Sequence, residues 1–259
     1  MTEDNANAIC VPESLRRFFE KYPKVALAFS GGVDSAYLLY AAGACGCDVR
    51  PYYVKSAFQP EFEMRDALRL CGQLGVEMTV VDIDILKVPQ VVQNPSNRCY
   101  YCKRALFSEI IDRAKKDGYE IVIDGTNASD DASDRPGMKA LSELNVLSPL
   151  RECAMSKQAV REYSRRANLF TWNKMAYACL ATRIPTKTEI TEELLGKVEA
   201  AEEALFRMGF SDFRIRIYEG AARLQLPGDQ MERAVRMRSD IREAVEPYFP
   251  VVMMDLRDR

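Results

Sequence analysis

Histidine is absent from all 259 residues of the chain. That excludes Ser-His-Asp and Cys-His catalysis and every histidine-ligated zinc site. Any chemistry must come from carboxylates, lysines, arginines, cysteines, backbone dipoles or a bound cofactor. Long apolar runs are missing too: none approaches the ~18–20 residues that cross a bilayer, so no membrane partner is expected. The first residues, Met1-Thr2-Glu3-Asp4-Asn5, are acidic and lack the basic start and apolar stretch of a secretory leader, which predicts a cytoplasmic protein. Excess charge of one sign is also missing. Lys and Arg number 36 against 38 Asp and Glu, a formal net charge of −2, which argues against nonspecific coating of nucleic acid. Internal repeats and low-complexity tracts are absent.

What is present is an ordinary globular balance, 47% hydrophobic and 29% charged, in a chain long enough to bury a core without disulfides. Strand-like and helix-like runs alternate through the first two-thirds. Strands are predicted at 25–29, 49–54, 78–81 and 120–123, with a fifth at Leu169–Trp172. Helices are predicted at 34–44, 61–74 and 103–116, and another from the N-cap Ser156 to about Ala167. Such alternation implies βαβ units, that is, an α/β fold with a parallel sheet covered on both faces. Ligands bind such sheets at the carboxyl ends of the strands. After Pro185 the pattern changes to a long charged helix over 191–208, strands at 213–218 and 222–226, a helix over 229–245 and a last strand at 251–256. The expected organisation is therefore a main domain over residues 1–185 and a small α+β domain with an antiparallel sheet over 186–259, the latter for substrate binding and homo-oligomer formation.

Ser30-Gly31-Gly32-Val33-Asp34-Ser35 lies between a buried strand and a helix. Glycines let the backbone approach a phosphate closely, and the amides and positive end of the following helix attract the anion. Ser30 and Ser35 add hydroxyl donors, and Asp34 beside a phosphate implies a bridging Mg²⁺. No lysine follows the glycines, so this is not a Walker loop. The hexapeptide matches the PP-loop signature SGGxDS, which implies ATP cleaved between the α and β phosphates, pyrophosphate release and an adenylated intermediate. Asp124-Gly125-Thr126-Asn127 follows a strand and is similar to a second nucleotide motif of that superfamily, so Gly125 and Thr126 join Ser30, Gly31, Gly32, Asp34 and Ser35 as candidate ATP ligands. Asp130 and Asp131 are candidate Mg²⁺ ligands, though a solvated acidic turn explains them as well.

The chain has eight cysteines. Cys99-Tyr100-Tyr101-Cys102 precedes a predicted helix beside Arg98, Lys103 and Arg104, surroundings that favour thiolate. Zinc would call for four ligands, usually from a second CxxC, and none exists. Cys179 stands in a loop that fold logic puts at the same sheet edge. Three thiols there fit a [4Fe-4S] cluster with one iron unligated by protein. Cys10, Cys45, Cys47, Cys71 and Cys153 read better as small buried hydrophobes.

The full set of motifs, adding Ser148-Pro149-Leu150-Arg151, Ser156-Lys157, Val160-Arg161, Thr171-Trp172-Asn173-Lys174 and Cys179-Leu180-Ala181-Thr182-Arg183-Ile184-Pro185, resembles the LarE family of sulfur transferases over nearly the whole length. The resemblance implies adenylation of a carboxylate of a pyridinium dicarboxylate mononucleotide, then replacement of AMP by sulfur in nickel-pincer nucleotide synthesis. It implies ATP, Mg²⁺ and a small nucleotide-like substrate, with sulfide or another sulfur donor. Cys99, Cys102 and Cys179 would act as cluster ligands; in the other version of the family Cys179 alone gives up its sulfur and becomes dehydroalanine. Lys103, Arg183, Arg214, Arg216 and Arg223 would bind substrate, with Arg214 and Arg216 on one face of a strand. The family's tail histidines are replaced here, and a family Glu is Gln225. Two other enzyme readings remain open, ATP-dependent amidation and tRNA thiolation, the latter poorly served by the balanced charge. So does a nucleotide-sensing protein without catalysis.

Overall fold

The structure, a computed structural model, describes residues 10–130 and 136–259. In chain order its elements are α1 (Glu13–Lys21), β1 (Lys24–Ala28), α2 (Val33–Ala44), β2 (Asp48–Lys55), α3 (Glu61–Leu74), β3 (Thr79–Asp82), α4 (Pro89–Val92), α5 (Arg98–Lys116) and β4 (Val122–Ile123). There follow α6 (Pro136–Glu143), α7 (Pro149–Glu152), α8 (Lys157–Arg166), α9 (Glu192–Arg207), β5 (Arg214–Tyr218), β6 (Ala221–Gln225), α10 (Gly228–Arg236), α11 (Arg238–Val245) and β7 (Val252–Met254). They fall into two compact units. The first takes in the chain through Ser56 together with Glu61–Asp84 and Asn97–Lys174; the second comprises Ala57–Pro60, Ile85–Ser96 and Met175–Arg259.

The first unit is built on a parallel sheet in the order β3-β2-β1-β4. Alternate residues of β1 go to opposite faces, as the strand period of two requires. Val25 and Leu27 join one core with Leu38 and Leu39 of α2 and Val160 of α8. Ala26 joins another with Tyr52 of β2, Phe107, Ile110 and Ala114 of α5, and Leu141 of α6. Burial on both faces explains why β1 reads as a continuous apolar run. The α/β class is thus as the alternation predicts.

Three elements of this unit differ from expectation. Leu169–Trp172 is not a fifth strand: Phe170–Asn173 is a 3₁₀ turn. Asn168 adopts a left-handed φ of 54°, the Leu169 amide returns to the Ser164 carbonyl, and the chain turns where its apolar alternation suggested it would run straight. The position beyond β4 is taken instead by Leu147, bridged in parallel to Ile123. Helix α5 begins at Arg98 rather than 103, so Cys99 and Cys102 lie within the helix and not before it.

The second unit gathers its early segments by backbone and side-chain hydrogen bonds. Buried Asn94 donates through Nδ2 to the carbonyls of Ile184 (3.4 Å) and Pro185 (2.9 Å). The Leu180 amide donates to the Phe58 carbonyl at 3.0 Å, and Ile190 to Val92 at 2.9 Å. Its sheet has the order β5-β6-β7. β5 and β6 pair antiparallel across Glu219-Gly220, but β6 and β7 pair parallel. The expected antiparallel tail sheet is therefore mixed, because the helical crossover between β6 and β7 brings the chain back in the same direction. That crossover is two helices, broken at Met237 (φ −92°, ψ 16°), where one continuous helix was expected. Thr191 caps α9 by accepting from the Leu194 amide, and Leu195, Val198, Ala201 and Leu205 face the core, a 3–4 spacing.

Candidate functional site

The first unit holds the nucleotide loop at the carboxyl end of β1. Gly31 adopts φ +69°, and a Cβ there would sit 3.1 Å from Cβ of Ala67; the close approach needs glycine. Helix α2 starts at Val33 with Gly32 as its N-cap and no side chain capping it. Its first-turn amides lack intrahelical partners and, with the helix dipole, form an anion seat. Ser35 Oγ donates to the Gly32 carbonyl at 3.2 Å and lies 3.1 Å from Ser30 Oγ. The second motif closes on the same helix end: a Cβ on Gly125 would lie 2.9 Å from the Ser35 amide nitrogen. Buried Asp124 accepts from Thr126 Oγ1 and, at 2.6 Å, from Ser148 Oγ. A cavity of about 330 Å³ opens here, lined by Ser30, Gly32, Asp34, Ser35, Gly125 and Thr126, and Lys103 reaches it as well. The motif residues expected to bind ATP, Gly31 apart, all line one cavity.

Asp34 is the electrostatic centre of that cavity. Burial pushes its carboxyl pKa up, while the hydrogen bond and charge of Lys157 pull against the shift, with Arg161 beyond. Lys157 Nζ stands 2.5 Å from Asp34 Oδ2, and Asn127 Nδ2 donates to Oδ1 at 3.4 Å. Asp130 lines the cavity too; Asp131 lies outside the described residues. Hard carboxylate oxygens facing a phosphate seat are the donors Mg²⁺ takes. Sequence reasoning assigned no role to Lys157 or to Lys174, whose Nζ donates to the Gly31 carbonyl at 3.3 Å and pairs with Asp66 at 2.7 Å. The Ser156 cap, which accepts from the Ala159 amide, was the one local signal. It fixes where α8 begins and thereby where Lys157 stands.

Cys99 and Cys102 are three residues apart on the first turns of α5, so they share a face. Cys99 is exposed, Cys102 is half-buried, and the Arg98 guanidinium donates to Cys99 Sγ at 3.9 Å.

In the second unit, half-buried Cys179 heads the 3₁₀ turn Leu180–Arg183. Three arginines bind the backbone around it. Arg183 Nη1 donates to the carbonyls of Ala178 (2.7 Å) and Cys179 (3.3 Å). Arg214 Nη2 donates to the Ala176 carbonyl. Arg216 Nη1 donates to the Thr182 carbonyl at 2.6 Å, and its Nε to Gln225 Oε1 at 2.7 Å. Of the arginines expected to bind substrate, Arg183, Arg214 and Arg216 thus all donate to the protein itself; Arg183 and Arg214 are buried and Arg216 is half-buried. Arg223 stands directly opposite Arg216 in the β5–β6 register. Its buried Nε has no hydrogen-bond partner, and Asp255 is 3.7 Å away. Burial first, and then the neighbouring Arg183 charge, lower the guanidinium pKa of Arg214 and of Arg216. This region holds more positive charge than its own carboxylates answer, as a seat for an anion requires.

Among the described residues, no three His, Cys, Asp or Glu side chains form a ready metal-binding group. Cys99 and Cys102 belong to the first unit and Cys179 to the second.

No family model matches the chain. An uncharacterized protein of Synechocystis sp. is 36% identical over 254 residues, 94% of this chain and 92% of that protein. The pyridinium-3,5-bisthiocarboxylic acid mononucleotide synthase of Lactiplantibacillus plantarum is 33% identical over 206 residues, 79% of this chain and 75% of that enzyme. The tRNA-specific 2-thiouridylase MnmA of Thermotoga petrophila is 28% identical over 145 residues, 46% of this chain and 40% of its own. The extent of the match to the mononucleotide synthase, joined to the SGGxDS loop at the uncapped end of α2, means that this chain belongs to the LarE family of ATP-dependent PP-loop sulfur transferases.

Proposed function

We propose that the chain uses ATP to adenylate a carboxylate of a pyridinium dicarboxylate mononucleotide and replaces AMP with sulfur, in nickel-pincer nucleotide synthesis. The observation that carries this is the cavity at the α2 N-terminus, where Asp34 waits on Lys157 beside an uncapped row of amides. The substrate carboxylate oxygen attacks the α-phosphorus and pyrophosphate leaves. The amides of α2 hold the departing charge; Asp34, with Lys157 beside it, would hold a Mg²⁺ ion, which when bound would neutralise phosphate charge. Sulfide then attacks the acyl carbon and the C–O bond to AMP breaks, a step that needs no histidine because sulfide is already a strong nucleophile. Arg216 and Arg223 receive the substrate phosphate. Support for that placement is the buried Arg223 Nε, which makes no hydrogen bond and has Asp255 only at 3.7 Å, and the like charges of Arg216 and Arg223 set face to face, which a further anion would offset.

The sulfur site in this reading is Cys99, Cys102 and Cys179, whose three thiolates match the donors of a [4Fe-4S] cluster with one open iron. Such a cluster, when bound, would supply the sulfide. The two thiols on α5 fit as a pair, and among the described residues the three do not stand as a formed group. Anaerobic purification tests the reading. The expected protein is brown, with broad absorbance near about 400 nm, and loses it when any one of the three cysteines becomes alanine. A colourless protein whose mass falls by about 34 Da at Cys179 on turnover, thiol having become dehydroalanine, overturns it.

A further inference from the structure

Glu202 lies on α9, outside every motif of the sequence, and is 1% exposed. A carboxylate so enclosed persists as a charge only when fully satisfied. Its Oε1 accepts from Arg183 Nε at 2.8 Å and from the Ile215 amide at 2.9 Å. Its Oε2 accepts from Arg183 Nη2 at 3.1 Å and from the Tyr177 hydroxyl. The pairing with Arg183 is a two-point fork, which fixes the plane of the guanidinium as well as its position. That plane aims Nη1 at the carbonyls of Ala178 and Cys179 and at Thr182 Oγ1, 2.8 Å away. The Tyr177 ring packs against two cations, with the guanidinium carbons of Arg183 and Arg214 at 4.5 and 5.0 Å from its centroid.

The 3₁₀ turn that carries the thiol has no side-chain cap; it closes through Thr182 to the Cys179 carbonyl at 3.0 Å and Ile184 to Ala181 at 3.4 Å, and the Leu180 amide is tied to the Phe58 carbonyl at 3.0 Å. The carbonyls of Ala176, Ala178, Cys179 and Thr182 are held as well by Arg214, Arg183 and Arg216. Three guanidinium groups crowded on one short loop repel one another. Glu202 is the carboxylate bonded directly to that cluster, and it orients the arginine whose contacts flank the thiol.

We infer that Glu202 is the positioning residue of the Cys179 loop, acting through Arg183 and Tyr177 to hold the thiol where sulfur is handed over. The inference rests on the proposed role of Cys179. Glu202 touches no substrate, and its effect is geometric: misplacing a reacting group by about 1 Å costs on the order of 10²-fold in rate.

The test is Glu202→Gln in the full-length chain, with two readouts. Iodoacetamide alkylation of Cys179, followed by peptide mass spectrometry with Cys99 as internal reference, reports loop position without any turnover. Substrate-dependent pyrophosphate release and sulfur transfer are measured separately. The expected result is a several-fold change in the Cys179-to-Cys99 alkylation ratio. Sulfur-transfer kcat falls by about 10–100-fold, with the KM for ATP and pyrophosphate release within about twofold. Tyr177→Phe, which deletes one hydrogen bond to Glu202, moves both readouts the same way and less.

Should Glu202→Gln fail to fold, the double variant Arg183→Met with Glu202→Leu replaces the buried pair by apolar groups of similar size, an exchange proteins tolerate. A merely structural role predicts that restoring the fold restores sulfur transfer and the wild-type alkylation ratio, and that result overturns the inference. So does an unchanged ratio in a folded Glu202→Gln. If the wild-type chain transfers no sulfur while the alkylation ratio still shifts, the proposed function fails and the positioning role stands.

Discussion

The two units each carry a carboxylate paired with a cation, and the pairs could hardly be more differently housed. In the nucleotide unit, Asp34 and Lys157 keep 20% and 34% of their side chains exposed. In the tail unit, Glu202 and Arg183 keep 2% and 0%. The first pair is a single point contact, its carboxylate on a cavity wall. The second is a sealed fork whose every donor and acceptor is spent on the protein. Placement separates a charge that faces a cavity from a charge that builds the platform, since water screens the one and not the other.

The largest effect should come from the open pair. Asp34→Ala is expected to abolish substrate-dependent pyrophosphate release, by about 100-fold or more, while the denaturation midpoint barely moves, because the carboxylate contributes little to packing. Measurable release at the wild-type rate would remove the PP-loop from the chemistry and erase the contrast.

Stability should reverse the order. Arg183→Ala leaves Glu202 buried without its partner and should cost about 3–5 kcal/mol in denaturant unfolding. Lys157→Ala, at a half-exposed pair, should cost no more than about 1 kcal/mol. Equal losses in the two variants would show that housing does not govern these pairs.

The smallest effect concerns thiols, where exposure again decides. Cys99 should alkylate readily at about pH 8, whereas Cys47 and Cys71 should not. Burial pushes the Cys47 thiol up to about 12 and the Cys71 thiol to about 11. The sign follows from linkage. Both values are raised above the ordinary 9.0, so the stability these thiols contribute is complete below pH 9 and is lost as pH climbs toward those values. Urea midpoints for Cys47→Ala and wild type should therefore differ most near neutrality and converge above that range. Midpoints that stay parallel to the alkaline limit would count against buried, protonated thiols.

How much of this was legible beforehand varies with the range of the interactions involved. The α/β class, the loop at Ser30–Ser35, the α3 boundaries and the Ser156 cap are written in local patterns: apolar period, glycine pairs, a short polar side chain before a helix. The strand at Leu169–Trp172 misled because apolar alternation also suits a buried 3₁₀ turn, and no glycine marked Asn168 as left-handed. The parallel pairing of β7 and the early segments joined to the tail unit have no local signature at all.

The sequence by itself determined which chemistry is possible: no histidine, a PP-loop with its aspartate, a CxxC pair among basic residues, and basic residues on β5 and β6. Only the tertiary structure decided which charges face a cavity and which are consumed as scaffold. Arg183 and Arg216 look alike in the chain, yet one is sealed against Glu202 while the other stands part-buried opposite Arg223. The reason is physical: a side chain's role depends on its burial and partners, and those are set by residues on other elements, Glu202 for Arg183 and Thr182 and Gln225 for Arg216.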